Sequence, residues 1–167
     1  MIAIKMELYR PGLVIPAKIW IPAANKYLVA PTVFDTGASM SCISEEAAEN
    51  AGYEIDVKNK TKVTTGGGTI NAYYTIIPDL KLAEISIGPI LAHVIKFPEE
   101  LQISALLGLN VIKEFSINMD FIKDKDTDKT IVSINMEPKF DITKLCKIED
   151  FNAKDREQRF GDMFVIR

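Results

Sequence analysis

Short apolar segments separated by turn residues fill most of the chain, and this pattern constrains the fold more than any other feature. Residues 2–9 alternate apolar and polar side chains, which is typical of a strand with one buried face. Further strand-like segments cover residues 13–21, 27–34, 60–64, 69–77, 80–87, 90–97, 116–121 and 130–136, and an apolar strand ends at Gly108. The turn dipeptide Gly88-Pro89 separates two of these segments. The sequence therefore predicts an all-β fold.

Two short helices are predicted between the strands. Ser44 is a good N-cap, Glu45 and Glu46 suit the positive end of a helix dipole, and Gly52 is a typical helix end. A second helix is predicted over about residues 109–114. Both helices are too short to build a helical core.

Length and charge limit the number of domains and the class of partner. The 167 residues are 47% hydrophobic and 26% charged, which fits one domain with a short appendage. Lys and Arg total 20 and Asp and Glu total 23, so the net charge is -3 and no basic excess exists to neutralise phosphates. We expect no nucleic-acid partner. The apolar runs are too short for a membrane span, so we expect no membrane partner either.

The histidine and cysteine content limits the chemistry. His93 is the only histidine, which argues against a His-rich metal site and, unless His93 serves, against a His-based triad. Cys42 and Cys146 lie far apart and no C-x-x-C pair exists. One disulfide between them is compatible with the sequence, but two reduced thiols in a cytoplasmic protein are the simpler interpretation, and we expect a cytoplasmic location.

A change of composition divides the chain near Pro138. Residues 1–137 hold the strand pattern, whereas residues 138–167 mix charges of both signs and end on the apolar run 163–166. We therefore predict one main domain over residues 1–137. We expect residues 138–167 to form a C-terminal extension.

The residues that suggest chemistry follow the strand at 27–34. This apolar segment runs directly into Asp35-Thr36-Gly37-Ala38-Ser39. A lone Asp-Thr-Gly triplet is weak, because Asp and Gly also form ordinary turns. Two later segments strengthen it: the glycine-tipped hairpin Thr65-Gly66-Gly67-Gly68-Thr69-Ile70, and Leu106-Leu107-Gly108-Leu109-Asn110.

These three segments, in this order, resemble the retropepsin-like aspartic proteases, the single-domain relatives of the retroviral proteases. The resemblance covers about residues 13–136. It implies a closed, barrel-like retropepsin fold with short helices, to which residues 138–167 add a C-terminal extension. By comparison with the retroviral proteases, this extension would serve as a dimer element or cover the groove. It further implies a homodimer that acts as an aspartic endopeptidase on extended peptide or protein substrates, without a metal or an organic cofactor.

The resemblance assigns a role to each segment. Asp35 is the expected catalytic residue, and Thr36, Gly37, Ala38 and Ser39 form the active-site loop around it. The segment Thr65, Gly66, Gly67, Gly68, Thr69 and Ile70 is expected to be a flap that closes over the substrate. Leu106, Leu107 and Gly108 are expected to pack behind the loop, and Asn110 to form a hydrogen bond near it.

The chemistry explains why one Asp-Thr-Gly demands a second copy. Two carboxylates held close together do not both ionise readily, so they share one proton. The charged carboxylate takes a proton from water while the neutral one donates a hydrogen bond to the amide carbonyl. The chain contains one Asp-Thr-Gly and no Asp-Ser-Gly. A two-fold axis would bring Asp35 and its symmetry mate together.

Three departures from related enzymes refine the prediction. Retroviral proteases usually carry Asp at the position of Ser39 and Arg at that of Leu109; both charges are missing here, so neither is left unpaired. Ala38 stands where pepsin-like enzymes usually have Ser, which removes a hydroxyl donor near the dyad. Without this donor the charged form of the dyad is less stabilised than in pepsins. We therefore expect activity at mildly acidic to near-neutral pH rather than in strong acid.

Two other functions fit parts of the sequence. A catalytically silent dimeric module of the same fold would bind extended peptides in the same groove, although a binder has no need of Asp35. A small-molecule-binding β-barrel would have no peptide role. A dimer that bound neither pepstatin-like inhibitors nor peptides would favour the small-molecule-binding barrel.

Overall fold

The structure, a computed structural model, describes residues 1–8 and 12–139. Strands dominate these two ranges, and only two short α-helices occur in them, so the prediction of a mostly β fold is confirmed. The strands are β1 Ile2–Glu7, β2 Val14–Ile21, β3 Lys26–Phe34, β4 Ser41–Ser44, β5 Asp56–Thr65, β6 Gly68–Ile77, β7 Leu80–Leu82, β8 Ile85–Ile87, β9 Ile90–Ile95, β10 Ala105–Leu107, β11 Phe115–Lys123 and β12 Thr130–Pro138. The helices are α1 Glu45–Ala51 and α2 Leu109–Ile112. The predicted extension lies outside the described residues from residue 140 onward.

The strands form two sheets. Nine strands hydrogen-bond in the order β5-β6-β9-β4-β10-β3-β2-β7-β8, and three form the order β1-β12-β11. Most neighbours are antiparallel, but β10 runs parallel to β3, and β4 runs parallel to β9. The end strands β5 and β8 do not pair with each other in this order, so barrel closure is not shown and stays a prediction.

One large apolar core joins the two sheets. In β2, buried and more exposed residues alternate along the strand, as expected when one face packs inward. Ile2 from β1 and Ile134 and Met136 from β12 belong to the same cluster as Ile15 and Ile43 of the large sheet. Because these side chains share one core, the small sheet packs on the large one.

Two prolines lie opposite each other inside this core sheet. Pro16 of β2 is paired with Pro31 of β3. The Phe34 N–H donates to the Leu13 carbonyl at 2.8 Å, so hydrogen-bonded and non-hydrogen-bonded pairs alternate from there and place the prolines in a non-hydrogen-bonded pair. The ladder between β2 and β3 therefore loses no donor to either proline.

Helix α1 has the ends that the sequence predicted. The Ala47 N–H donates to the Ser44 hydroxyl at 3.0 Å, which caps the first turn. Gly52 ends the helix in the left-handed conformation, with φ of 72°. Ala48 and Ala51 face the core and are buried. The helix thus packs its small side chains inward and leaves its acidic ones in solvent.

Two predictions for the strands were incomplete. Strand β4 was not predicted, because Ser41-Cys42-Ile43-Ser44 is short and lacks an apolar–polar alternation. Residues 80–87 were predicted as one strand, but β7 and β8 form a tight antiparallel hairpin. Ala83 between them has φ of 53°, a left-handed conformation that reverses the chain. No helix in the described ranges is both long and apolar enough to cross a membrane.

Candidate active site

Asp35 lies at the end of β3, at the start of the loop that leads to β4. Its backbone N–H donates to the Leu107 carbonyl at 3.1 Å, which continues the pairing of β3 with β10 past the end of the strand. The Gly37 N–H donates to Asp35 Oδ1 at 2.8 Å. Asp35 is half-buried, whereas Thr36 and Gly37 are exposed. The carboxylate is therefore oriented by the backbone and still reachable from solvent.

Gly37 leaves space beside that carboxylate. A Cβ atom at this position would lie 3.1 Å from Asp35 Oδ1, closer than most real Cβ contacts. Any larger residue would push against the carboxylate or its hydrogen bond. The loop from Asp35 to Met40, which we call the Asp35 loop, thus depends on a glycine next to its acid.

Strand β10 and helix α2 pack directly behind the Asp35 loop. The Leu109 N–H donates to the Ala38 carbonyl at 2.8 Å, and the Asn110 N–H donates to the Ser39 carbonyl at 3.1 Å. A Cβ atom on Gly108 would lie 2.5 Å from the carbonyl carbon of Met40, so only glycine allows this approach. The Leu-Leu-Gly segment therefore fixes the loop through its backbone.

Asn110 ties three segments of the chain together. Its Oδ1 accepts hydrogen bonds from the Ser41 N–H and the Ser41 hydroxyl, each at 2.8 Å. Its Nδ2 donates to the Leu91 carbonyl at 2.9 Å. The Ser41 hydroxyl in turn accepts from the Gly108 N–H at 3.0 Å. The side chains of Ser41 and Asn110 thus lock the end of the Asp35 loop to α2 and β9.

The glycine-tipped hairpin is built from β5 and β6, and we call it the flap hairpin. At its tip, residues 64–69, every residue is exposed. Thr65 Oγ1 donates to the Gly68 carbonyl at 3.0 Å and accepts from the Gly67 N–H at 3.3 Å. Gly68 has φ of 118°, a conformation that L side chains rarely adopt. Among the described residues, the hydrogen bonds of the tip stay within the hairpin.

An apolar cluster, the flap-side cluster, connects the arms of this hairpin to the strands behind Asp35. Its buried members and the half-buried side chains packed on them are Cys42, Ala72, Ile95, Val63, Ile70, Phe97 and Leu106. Burial raises the pKa of the Cys42 thiol to about 12, and the negative charge of Asp35 adds to the rise. Asp35 is thus close enough for its charge to act on a thiol of the cluster.

Comparison with known proteins gives the family of the chain. Residues 25–114, which are more than half of the 167, match the family described as gag-polyprotein putative aspartyl protease. The chain belongs to this family. The match spans all three segments on which the resemblance to retropepsin-like proteases rested, and it confirms that resemblance.

One solved structure is also similar to this aspartyl protease family member. It is the crystal structure of the retroviral protease-like domain of Ddi1 from Leishmania major, at 21% sequence identity and a TM-score of 0.42. The match covers 77% of this chain and 96% of that chain. No curated protein sequence matched.

The structure brings together most of the residues that the sequence singled out in this family member. The Asp35 loop and residues 106–110 lie in contact, and Ile70 reaches the cluster that contains Leu106. The tip residues 65–69 do not hydrogen-bond to the Asp35 loop in the described structure. The catalytic and flap roles of these residues stay predictions.

Sequence reasoning missed Ser41 and the flap-side cluster. The hydroxyl of Ser41 is buried and forms hydrogen bonds with both Gly108 and Asn110. Both of these residues are far from Ser41 in sequence. A serine two residues past the motif was a weak local signal. The cluster, in contrast, is visible only after β4, β6, β9 and β10 align, because each strand contributes one or two side chains.

Two further observations support the choice of the Asp35 loop as the candidate site. A groove of about 560 Å³ lies between α1, the β2–β3 hairpin and residues 96–104, and Asp35 does not line it. Within the described residues, no group of three or more His, Cys, Asp and Glu side chains is placed to hold a metal ion. The Asp35 loop is therefore the candidate active site on chemical grounds.

Proposed function

We propose that the chain is one subunit of a homodimeric aspartic endopeptidase that hydrolyses peptide bonds in extended substrates. One observation carries the proposal: the chain holds a single Asp-Thr-Gly carboxylate, which its own backbone orients at 2.8 Å and which solvent can reach. Membership of the aspartyl protease family supports the same chemistry. Catalysis and dimerisation are the parts of this function that experiment has to test.

The need for a dimer follows from the chemistry of carboxylates. Water is activated by a pair of carboxylates that share one proton. In the described part of this chain, no second carboxylate forms a hydrogen bond with Asp35. An isologous two-fold interface places identical residues at the axis. The exposed Thr36 and Gly37 suit such a position, because they lead the loop into solvent next to Asp35. The partner subunit's Asp35 would complete the dyad.

The proposed reaction moves protons between water, the dyad and the peptide. The ionised carboxylate takes a proton from water as the water oxygen attacks the scissile carbonyl carbon, and the protonated carboxyl gives its proton to the carbonyl oxygen. A tetrahedral gem-diol results. The carboxyl that took the water proton then gives it to the amide nitrogen while the other carboxylate takes a proton back from a diol hydroxyl. The C–N bond breaks, an amine and a carboxylic acid are released, and the dyad returns to its starting state. The nucleophile is water, so the proposal needs no cofactor.

The flap hairpin accounts for the preference for extended substrates. Its tip is anchored to nothing but itself among the described residues, while its arms rest on the apolar flap-side cluster. An extended peptide placed between the tip and the Asp35 loop can pair with strand edges and bury alternate apolar side chains. We therefore propose apolar residues on both sides of the cleaved bond.

A peptide-library digestion tests the proposal. Wild type, Asp35→Asn and the control Asp120→Asn, which changes an exposed aspartate on β11, are purified identically and assayed from mildly acidic to neutral pH. Loss of the carboxylate should lower cleavage at least about a hundredfold, because it removes the general base. The control should cleave like wild type.

Two results would count against the proposal. Equal cleavage by wild type and Asp35→Asn would show that the activity belongs to a contaminant. No cleavage by a wild-type protein that sedimentation shows to be dimeric would favour the catalytically silent peptide-binding module.

A further inference from the structure

His93 occupies a central position between the two halves of the site. On β9, it pairs in register with Cys42 of β4 on one side and with Tyr74 of β6 on the other. Strand β4 carries the end of the Asp35 loop, and β6 is an arm of the flap hairpin. His93 therefore lies between the strand that follows the Asp35 loop and an arm of the flap hairpin.

The imidazole points to the same face as the flap-side cluster. Ala92 and Val94, its neighbours in sequence, belong to the main core, so the side chain of His93 lies on the opposite face. Cys42 and Ile95 on that face belong to the cluster. The ring of His93 lies against that of Tyr74, with centroids 4.9 Å apart.

The ring is buried without a full set of hydrogen-bond partners. His93 is only 9% exposed, and its Nδ1 atom is buried with no hydrogen-bond partner among the described residues. A neutral imidazole tolerates this, because it carries a single N–H donor. An imidazolium does not, because both nitrogens become donors and the charge enters an apolar setting.

Two titratable groups flank the ring directly, Cys42 on β4 and Tyr74 on β6. Asp56 lies opposite Tyr74 on β5 and accepts hydrogen bonds from Lys58 and Asn59 of its own strand. Asp35 acts on Cys42 from the Asp35 loop. None of these is a hydrogen-bond partner of Nδ1.

We propose that His93 is a positioning residue that holds the flap arm against the strand behind the Asp35 loop, and that protonation of its ring loosens this contact. The effect of this protonation on cleavage rests on the proposed function, whereas its effect on the flap hairpin does not. Acidification would therefore loosen the substrate side of the site while the main core stays packed.

The direction of the pH effect follows from linkage. Burial lowers the pKa of His93 below its ordinary value of 6.5, so the packed state binds the proton less well than an open state does. Stability of the packed arrangement is fully present above 6.5 and is lost as pH falls through the lowered value. The site should be best ordered at near-neutral pH.

Nuclear magnetic resonance of the full chain tests the proposal without any substrate. His93 is the only histidine, so its ring signals are unambiguous. We expect the ring to titrate below 6.5, with the methyl signals of Val63 and Ile70 shifting at the same midpoint. The methyl signals of Val132 and Ile134, in the small sheet, serve as the internal control and should not follow.

Three outcomes would overturn the proposal. In the first, the ring titrates at or above 6.5. In the second, it titrates below 6.5 with no response of Val63 and Ile70, which shows that the ring does not hold the flap arm. In the third case Val132 and Ile134 respond at the same midpoint, and the change is general unfolding. The variant His93→Leu replaces the imidazole with an apolar side chain of similar bulk that cannot be protonated, and it should abolish the response of Val63 and Ile70.

A kinetic measurement adds the catalytic consequence. With a peptide cleaved by wild type, the ratio of kcat/KM for His93→Leu to that of wild type should rise several-fold as pH falls from 7 to 5, chiefly through KM. A ratio that is independent of pH contradicts a positioning role. Absence of cleavage by both proteins refutes the proposed function, and the resonance titration then decides the role of His93 by itself.

Discussion

The Asp35 loop and the tip of the flap hairpin are both loops that the proposed function assigns to one site, but they are held in opposite ways. The Asp35 loop is held by backbone hydrogen bonds to residues 107–110 and by the Ser41–Asn110 side-chain pair. The tip makes hydrogen bonds only within its own hairpin, as far as the described residues go. Glycine serves close packing in the first and open space in the second.

This difference matches two different requirements of the proposed active site. A carboxylate that activates water has to stay within a fraction of an ångström of its productive position, so it needs a rigid support. A cover that admits and releases an extended peptide has to move, so it needs few contacts. Perturbing the support should therefore cost stability, whereas perturbing the tip should cost little.

The strongest way to break this comparison is a pair of Gly→Ala substitutions. In Gly108→Ala, the new Cβ would lie 2.5 Å from the Met40 carbonyl carbon, and we expect a loss of about 3 kcal/mol in the free energy of unfolding. In Gly66→Ala the Cβ meets nothing within 4 Å, and we expect less than about 0.5 kcal/mol. Urea unfolding measures both. Equal losses would refute the contrast.

Removing the side chain of Asn110 should have the next largest effect. Asn110→Ala deletes two accepted bonds and one donated bond, and leaves the Ser41 N–H and the Leu91 carbonyl without that partner. We expect a loss of about 2 kcal/mol. The control Asn118→Ala removes one exposed bond of 3.5 Å and should change stability by less than about 0.5 kcal/mol. Similar values for the two variants would contradict the account.

Alkaline pH should sharpen the comparison through Cys42, which lies beside the Asp35 loop. Its pKa is about 12 in the folded chain and 9.0 as its ordinary value, so above pH 9 the unfolded state loses the proton first. Stability is full below pH 9 and should fall by about 1 kcal/mol between pH 9 and 10.

The variant Cys42→Ala isolates this contribution. Its free energy of unfolding should be flatter over the same pH interval, even though the small cavity lowers its absolute stability. Burial also raises the pKa of Tyr53, but a tyrosine begins to contribute only near pH 10. A wild-type slope that Cys42→Ala leaves unchanged would mean that the thiol is not buried.

The smallest effect is expected at the tip itself. Thr65→Val keeps the shape of the side chain and removes the two hydrogen bonds of its hydroxyl, both of which are exposed. The free energy of unfolding should change by less than about 0.5 kcal/mol, while the amides of the tip exchange faster with solvent. A loss above about 1 kcal/mol would show that the tip is part of the support.

The sequence predicted the features that are encoded locally. Helix α1 follows from Ser44 and Gly52, and most strands follow from alternation and turn residues. The family was predictable because three short segments carry it in fixed order, and the match over residues 25–114 confirms it. Cys42 is a free, buried thiol, and Cys146 lies outside the described residues.

Features that depend on distant pairing were not predictable. The bond from Ser41 to Asn110 spans 69 residues. The resemblance predicted a hydrogen bond of Asn110 near the Asp35 loop, but it did not give Ser41 as the partner. Strand β4 exists because β9 and β10 pair with it on either side, not because its four residues favour a strand. His93 gained its position in the same way, since its register neighbours lie on β4 and β6.

The central claim is that each chain supplies half of an active site, and mixing subunits tests it most directly. Wild type is mixed with an equal amount of Asp35→Asn, allowed to exchange, and assayed on a cleaved peptide. If the dyad needs both aspartates, random pairing leaves about a quarter of all dimers intact, so activity falls to about half that of the wild type alone. Mixing with Asp120→Asn should cause no such fall. Activity that is unchanged by added Asp35→Asn, in samples where exchange is demonstrated, would contradict the account.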